Sequence, residues 1–115
     1  DAASAKARKQ LPRLKRDFVN ELPTGDYLHV KAPFKTPDGS NEWMWVEVVK
    51  WSDKKIEGLL QNVPFNIPDL KVGSEVIIDQ DDIFDYTYYL SNGESEGNTT
   101  GKLIQEYQIS QQTKL

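Results

Sequence analysis

Cysteine is absent from the 115 residues, which excludes a disulfide framework, a thiolate zinc site and a thiol nucleophile. Histidine occurs once, at His29. A serine–histidine–carboxylate triad would have to form around that one side chain, and no nucleophile-elbow sequence supplies the serine. Neither a P-loop nor a Gly-x-Gly-x-x-Gly fingerprint is present. No apolar run approaches the roughly 20 residues of a membrane span, so a transmembrane helix is not expected. Basic residues are scarce beyond residue 17: six of the fourteen (Lys6, Arg8, Lys9, Arg13, Lys15, Arg16) precede it, and the rest of the chain is strongly acidic. An acidic body disfavours nucleic acid and anionic membrane and suits a cationic partner.

What remains is a hydrophobic share of 37% with 10% aromatics, enough for one domain with its own core. We expect that core over about residues 7–107, with frayed ends at 1–6 and 110–115. The stretch Glu42 to Asn62 holds all three tryptophans and organises the rest. Within it, Glu42–Trp51 alternates as a strand with Met44, Val46 and Val48 on one face. Strict alternation puts Trp43, Trp45, Glu47, Val49 and Trp51 on the other. Ser52–Lys55 turns the chain, and Ile56–Gln61 returns as a hairpin partner.

Upstream, residues 2–20 have a helical pattern in Ala3, Ala7, Leu11, Leu14 and Phe18. Pro12 implies a kink or the start of a second helix. Tyr27–Phe34 alternates as a half-buried strand, with His29 on its polar face, and Pro37-Asp38-Gly39 forms a turn. Downstream, the prolines of Val63–Leu70 predict a crossing loop. Glu75–Asp79 reads as a short strand, Asp79–Asp85 as an acidic corner, and Tyr86–Leu90 as a last strand or extended segment. Ser91–Gly97 reads as polar loop, and Thr100–Ile109 as a short helix or a strand. The fold class is therefore α+β: an N-terminal helix on a small curved antiparallel sheet, SH3-like or a partly open barrel.

Five segments fall in a recognisable order: Glu42-Trp43-Met44-Trp45-Val46; Gly58 with Asn62-Val63-Pro64; Lys71-Val72-Gly73-Ser74-Glu75-Val76; Asp82-Ile83-Phe84-Asp85-Tyr86; and Gly97-Asn98-Thr99-Thr100. Together they resemble the bacterial domain of unknown function (DUF) family 2314, over about residues 7–107. The chain departs from the family pattern at Tyr86, where tryptophan is favoured, and at Gly101, where an aliphatic residue is favoured. The resemblance implies a bacterial origin and a shared fold, and no activity.

Two surfaces are candidates for a partner. One is the face carrying Trp43, Trp45, Glu47 and Trp51, which is either core beneath the N-terminal helix or an exposed aromatic platform. Glu47 argues for partial exposure, since burying an unpaired carboxylate is costly. The other is the acidic corner of Asp79, Asp81, Asp82 and Asp85, with Glu75 nearby. It could steer a basic partner, or it could be a solvated turn in which one aspartate, Asp85, accepts backbone hydrogen bonds. It lacks the EF-hand spacing and turn glycine, so no metal and no cofactor is expected. The small residues after Asp1 suit a processed, exported chain, with a periplasmic or secreted location expected and a cytoplasmic one the alternative. The leading expectation is a non-catalytic domain, monomeric or weakly dimeric, that binds a protein or a cell-envelope component. An immunity- or inhibitor-type protein against a cationic toxin and a carboxylate-dependent hydrolase are the alternatives.

Overall fold

The computed structural model describes residues 2–98. The expected element at Thr100–Ile109 lies outside the described residues. The N-terminal pattern resolves into two helices, α1 (Ala2–Arg8) and α2 (Leu11–Val19). Pro12 occupies the first turn of α2, where its missing N–H has no intrahelical partner to lose. The chain thus breaks at Lys9–Gln10, before the proline, and the kinked single helix is replaced by this second arrangement. Ala3, Ala7, Leu11 and Leu14 are buried as the spacing predicts, and Phe18 packs against the core.

Among the described residues six strands follow: β1 (Tyr27–Lys35), β2 (Asn41–Ser52), β3 (Lys55–Leu60), β4 (Glu75–Asp79), β5 (Asp85–Tyr89) and β6 (Ser95–Gly97). A single 3-10 turn, Gln80–Asp82, joins β4 to β5. The strands form one sheet in the order β4-β3-β2-β1-β5-β6, with every neighbouring pair antiparallel. Strands β4 and β6 are its edges, so among the described residues the sheet is open, without the closure of an SH3-like barrel. Strand β6 lies in the stretch expected to be polar loop. Its three residues, Ser-Glu-Gly, carry no apolar alternation that could have marked a strand.

Both helices lie on one face. There Leu28, Val30, Met44, Val46, Val48, Ile56, Leu60, Ile78 and Tyr86 bury themselves against Ala7, Leu11 and Leu14. Arg13 on α2 donates to Glu96 Oε2 on β6, and the Tyr86 hydroxyl donates to the same oxygen at 2.7 Å. Helix and sheet edge are thereby tied through one carboxylate. Tyr86 is accordingly a buried ring whose polar end is satisfied.

One irregularity changes which residues share a face. Strand β2 pairs Val48 with Gly58 but Lys50 with Glu57, so Val49 is an extra residue without an opposite number, a β-bulge. Parity inverts across it. Trp51 turns to the helix-covered face, 4% exposed, and its indole N–H donates to Gln80 Oε1 at 3.0 Å. The expected grouping of Trp51 with Trp43, Trp45 and Glu47 is thus corrected: a strict period of two does not survive an inserted residue. Gly58 faces the bulge because nothing larger fits. A Cβ there would lie 2.3 Å from the Glu47 carbonyl oxygen and 2.5 Å from Val46 Cγ1.

Candidate functional site

The face turned away from the helices carries the remaining candidates. Cross-strand pairing places Glu75, Leu59, Glu47, His29, Thr87 and Gly97 in one row across all six strands. The next row holds Trp45, Lys31 and Asp85, and beyond it Trp43 lies opposite Pro33. Residues 29–31 of β1 and 46–47 of β2 are paired on both sides, so the backbone of the His29–Glu47 row is held, while among the described residues Trp43 is paired with β1 alone.

Trp43 is 46% exposed and packs on Phe84 with ring centroids 4.8 Å apart. Trp45 is half-buried, and the Lys31 ammonium sits 5.8 Å from its ring and 6.0 Å from that of Phe84. This is cation–π geometry that orients the lysine over an aromatic floor. The same end of β2 is tied to the connection leading to β4. The Glu42 carboxylate accepts the N–H groups of Phe65 (2.7 Å) and Asn66 (3.1 Å), and Asn62 Oδ1 accepts that of Trp45 (2.6 Å). The connection is thereby held against the strand while Val63 and Phe65 stay open to solvent, Phe65 at 90%. Glu42, which holds Phe65, alternates onto the Met44 face, so the exposed aromatic of the outer face at this end of β2 is Trp43, the kind of ring that anchors contact surfaces.

The middle of the face is a tight cluster around His29. Its ring meets Tyr89 edge-on at 4.9 Å and Tyr27 at 5.4 Å, while Tyr27 and Tyr89 stack at 4.6 Å. His29 Nε2 is buried without a hydrogen-bond partner among the described residues, 3.9 Å from Glu47 Oε1. Burial lowers the imidazole pKa below its ordinary value, against the pull of Glu47. Desolvation wins, so at neutral pH the pair is a neutral imidazole beside a carboxylate, not an ion pair. Nothing in the sequence marked His29 beyond its being the single histidine. Its neighbours Tyr27, Glu47 and Tyr89 come from three strands, and only the pairing brings them together.

The acidic corner is organised differently. Asp79 Oδ1 caps the 3-10 turn by accepting the N–H of Asp81 at 2.8 Å, which holds the Asp79 carboxyl below its ordinary pKa with help from Lys55. Lys55 lies 3.5 Å from Asp79 and Lys54 lies 3.6 Å from Asp81, so the β2–β3 hairpin brings cations to two of the four aspartates. Asp82 is exposed, while Asp85 is fully buried and accepts the N–H of Tyr86 at 2.8 Å. The backbone-bonding role expected for Asp85 is the one it has, and Asp85 adds nothing to the acidic surface. Among the described residues, no group of three or more His, Asp or Glu side chains is placed to hold a metal ion. The resolved carboxylate shifts, at Asp38, Asp79 and Glu96, are all downward, so each stays ionised.

No described helix is long and apolar enough to cross a membrane. Comparison with curated proteins and with solved structures returned no match to this chain. A family model described as an uncharacterized protein conserved in bacteria (DUF2314) matches residues 1–114. That match spans the helices, every strand of the sheet and the segment beyond them, and the chain belongs to the DUF2314 family.

Proposed function

We propose that the chain is a non-catalytic, exported bacterial binding domain, monomeric or weakly dimeric, that recognises a protein or cell-envelope component through the outer face around Trp43 and Trp45. One observation carries this reading: the helices cover the opposite face, leaving Trp43 nearly half exposed beside Phe84 on a strand paired there with β1. Rigid, amphipathic aromatics lose little conformational freedom on binding and dominate contact hot spots. Trp51 has no part in it. The acidic corner supports an inhibitor of a cationic toxin less well, because Lys54 and Lys55 offset Asp81 and Asp79. A carboxylate-dependent hydrolase would need a carboxyl held protonated as a general acid, a role for which Asp38, Asp79 and Glu96, each shifted downward, are poorly suited.

The test is capture from the envelope fraction of the native bacterium with wild type, Trp43→Ala and the acidic-corner variant Asp82→Ala, each first shown to be folded. A component retained by wild type and Asp82→Ala but lost by Trp43→Ala is the expected result. Loss with Asp82→Ala alone would move the site to the corner and favour the inhibitor reading. Equal retention by all three would sink the aromatic-face reading, and fractionation of the native cells checks the exported location.

A further inference from the structure

Strand β4 ends the sheet with an unusual combination of open backbone, exposed apolar side chain and flanking negative charge. Its ladder bonds to β3 can be assigned by residue. Leu60 N–H donates to the Ser74 carbonyl and Gln80 N–H to the Lys54 carbonyl, and each bond lies one residue beyond an end of the β3–β4 ladder and continues its register. Because hydrogen-bonded and non-bonded pairs alternate, Val76 and Ile78 direct their backbone groups to β3. Glu75, Ile77 and Asp79 direct theirs away from the sheet. Three N–H and three C=O groups thus line this edge, and the pairing gives them no strand among the described residues.

The side chains of the same three residues stand on the outer face. Ile77 is 66% exposed at its centre, with Glu75 and Asp79 on either side. Beside it an open groove of about 400 Å³ runs between Val49, Leu59 and Ile77, bounded by Lys50, Glu57 and Glu75. The groove arises where the bulge pushes Val49 outward, 57% exposed. Such an edge invites another strand. A second copy of this chain is a poor occupant: antiparallel pairing about Ile77 would set each Glu75 opposite the other copy's Asp79, and parallel pairing would oppose like residues. Like charges directly opposed destabilise a strand pair. The charges that repel a copy select a cation.

We propose that the open edge of β4 is a strand-addition site for an extended basic segment of pattern cation–x–apolar–x–cation. Its backbone pairs with Glu75, Ile77 and Asp79, its apolar side chain packs on Ile77, the outer wall of the groove, and its cations meet Glu75 and Asp79. Discrimination is strongest at Glu75, which has no ion pair among the described residues, whereas Asp79 already has Lys55. This site lies on β4, two strands from the one that carries Trp43, and stands or falls separately from the aromatic-face reading.

The test uses the full chain, labelled for amide NMR, titrated with the capped heptapeptide Thr-Lys-Thr-Val-Thr-Lys-Thr. Three control peptides accompany it: one with both lysines replaced by glutamate, one N-methylated at the central valine, and one with the valine replaced by serine. The amides of Glu75, Ile77 and Asp79 should shift and slow their exchange with the parent peptide. Each control should bind at least about tenfold more weakly, the equivalent of one lost pairing interaction. Glu75→Lys should weaken the parent peptide about threefold, the scale of one exposed ion pair. Ile77→Pro removes an N–H that points away from β3 and so leaves the internal ladder intact; it should fold and fail to bind. If that variant does not fold, the N-methylated peptide makes the same test on unaltered protein. Equal binding by the N-methylated or glutamate peptide would overturn the proposal. So would shifts centred elsewhere, silence at millimolar peptide, or self-association of the protein through β4.

Discussion

Trp43 and Trp51 lie on the same strand in opposite environments, and their replacement should separate sharply. Trp51 is buried against the core with its indole N–H bonded to Gln80, so Trp51→Ala leaves a cavity and an unpartnered amide, costing about 3–5 kcal/mol. Trp43→Ala removes a half-exposed ring and should cost about 1 kcal/mol or less. Urea unfolding measures both, and iodide should quench Trp43 while leaving Trp51 shielded. His29 gives a second test at this scale. Its folded pKa lies below the ordinary 6.5, mainly through burial, with Glu47 opposing. Between the folded and unfolded values the unfolded chain holds more protons, so stability is full above about 6.5 and declines as pH falls through the folded value. His29→Gln should remove that part of the decline, visible as a smaller drop in urea midpoint over the same pH interval than wild type shows. An identical drop would mean that the imidazole is not what titrates.

Among the elements, the bulge in β2 makes the most specific demand. Since Val49 is the residue without an opposite number, deleting it restores continuous alternation with Val48 inward, Lys50 outward and Trp51 inward. The deletion should therefore fold with Trp51 still shielded from iodide, within about 1–2 kcal/mol of wild type. Gly58→Ala on the facing strand should be worse, by about 1–3 kcal/mol, because the added carbon meets backbone that cannot step aside. A tolerated Gly58→Ala together with an unfolded deletion would mean that the register is misplaced. The bulge also explains how far the elements were legible. The helical face of Ala3, Ala7, Leu11 and Leu14, the strands at β1, β2 and β4, and the turn at Asp38 all follow from periodicity and turn chemistry. Strict alternation through β2, however, places Lys50 on the face of Met44, Val46 and Val48. That lysine in an apolar row was the available signal that one residue is extra, and with it Trp51 would have been assigned to the core. Strand β6 had no such signal, because Glu96 is fixed by Arg13, remote in sequence, and by Tyr86 across the β5–β6 pairing. The His29 cluster was equally illegible, since it depends on which strands become neighbours.

On the scale of the whole molecule, the sheet order divides the chain into near and distant pairings. Strands β1, β2 and β3 are joined by the short turns around Asp38 and Asp53, whereas β5 must return to β1 to set Tyr27 beside Tyr89 and Val30 beside Tyr86. Closing the longer loop sacrifices more chain entropy before any contact repays it. The three-stranded meander should therefore form first, with β5 and β6 joining late. Until they do, β1 is itself an edge, and Leu28, Val30 and Tyr86 lack part of their final cover. Pulse-labelling hydrogen exchange during refolding should protect the amides of β2 before those of β5; the reverse order would contradict this sequence of events. During synthesis the same arrangement leaves the growing chain with β1 as an open edge until residue 89 has left the ribosome. The interval of greatest exposure to chaperones and to aggregation is thus set by where β5 lies in the chain, not by how fast any hairpin forms.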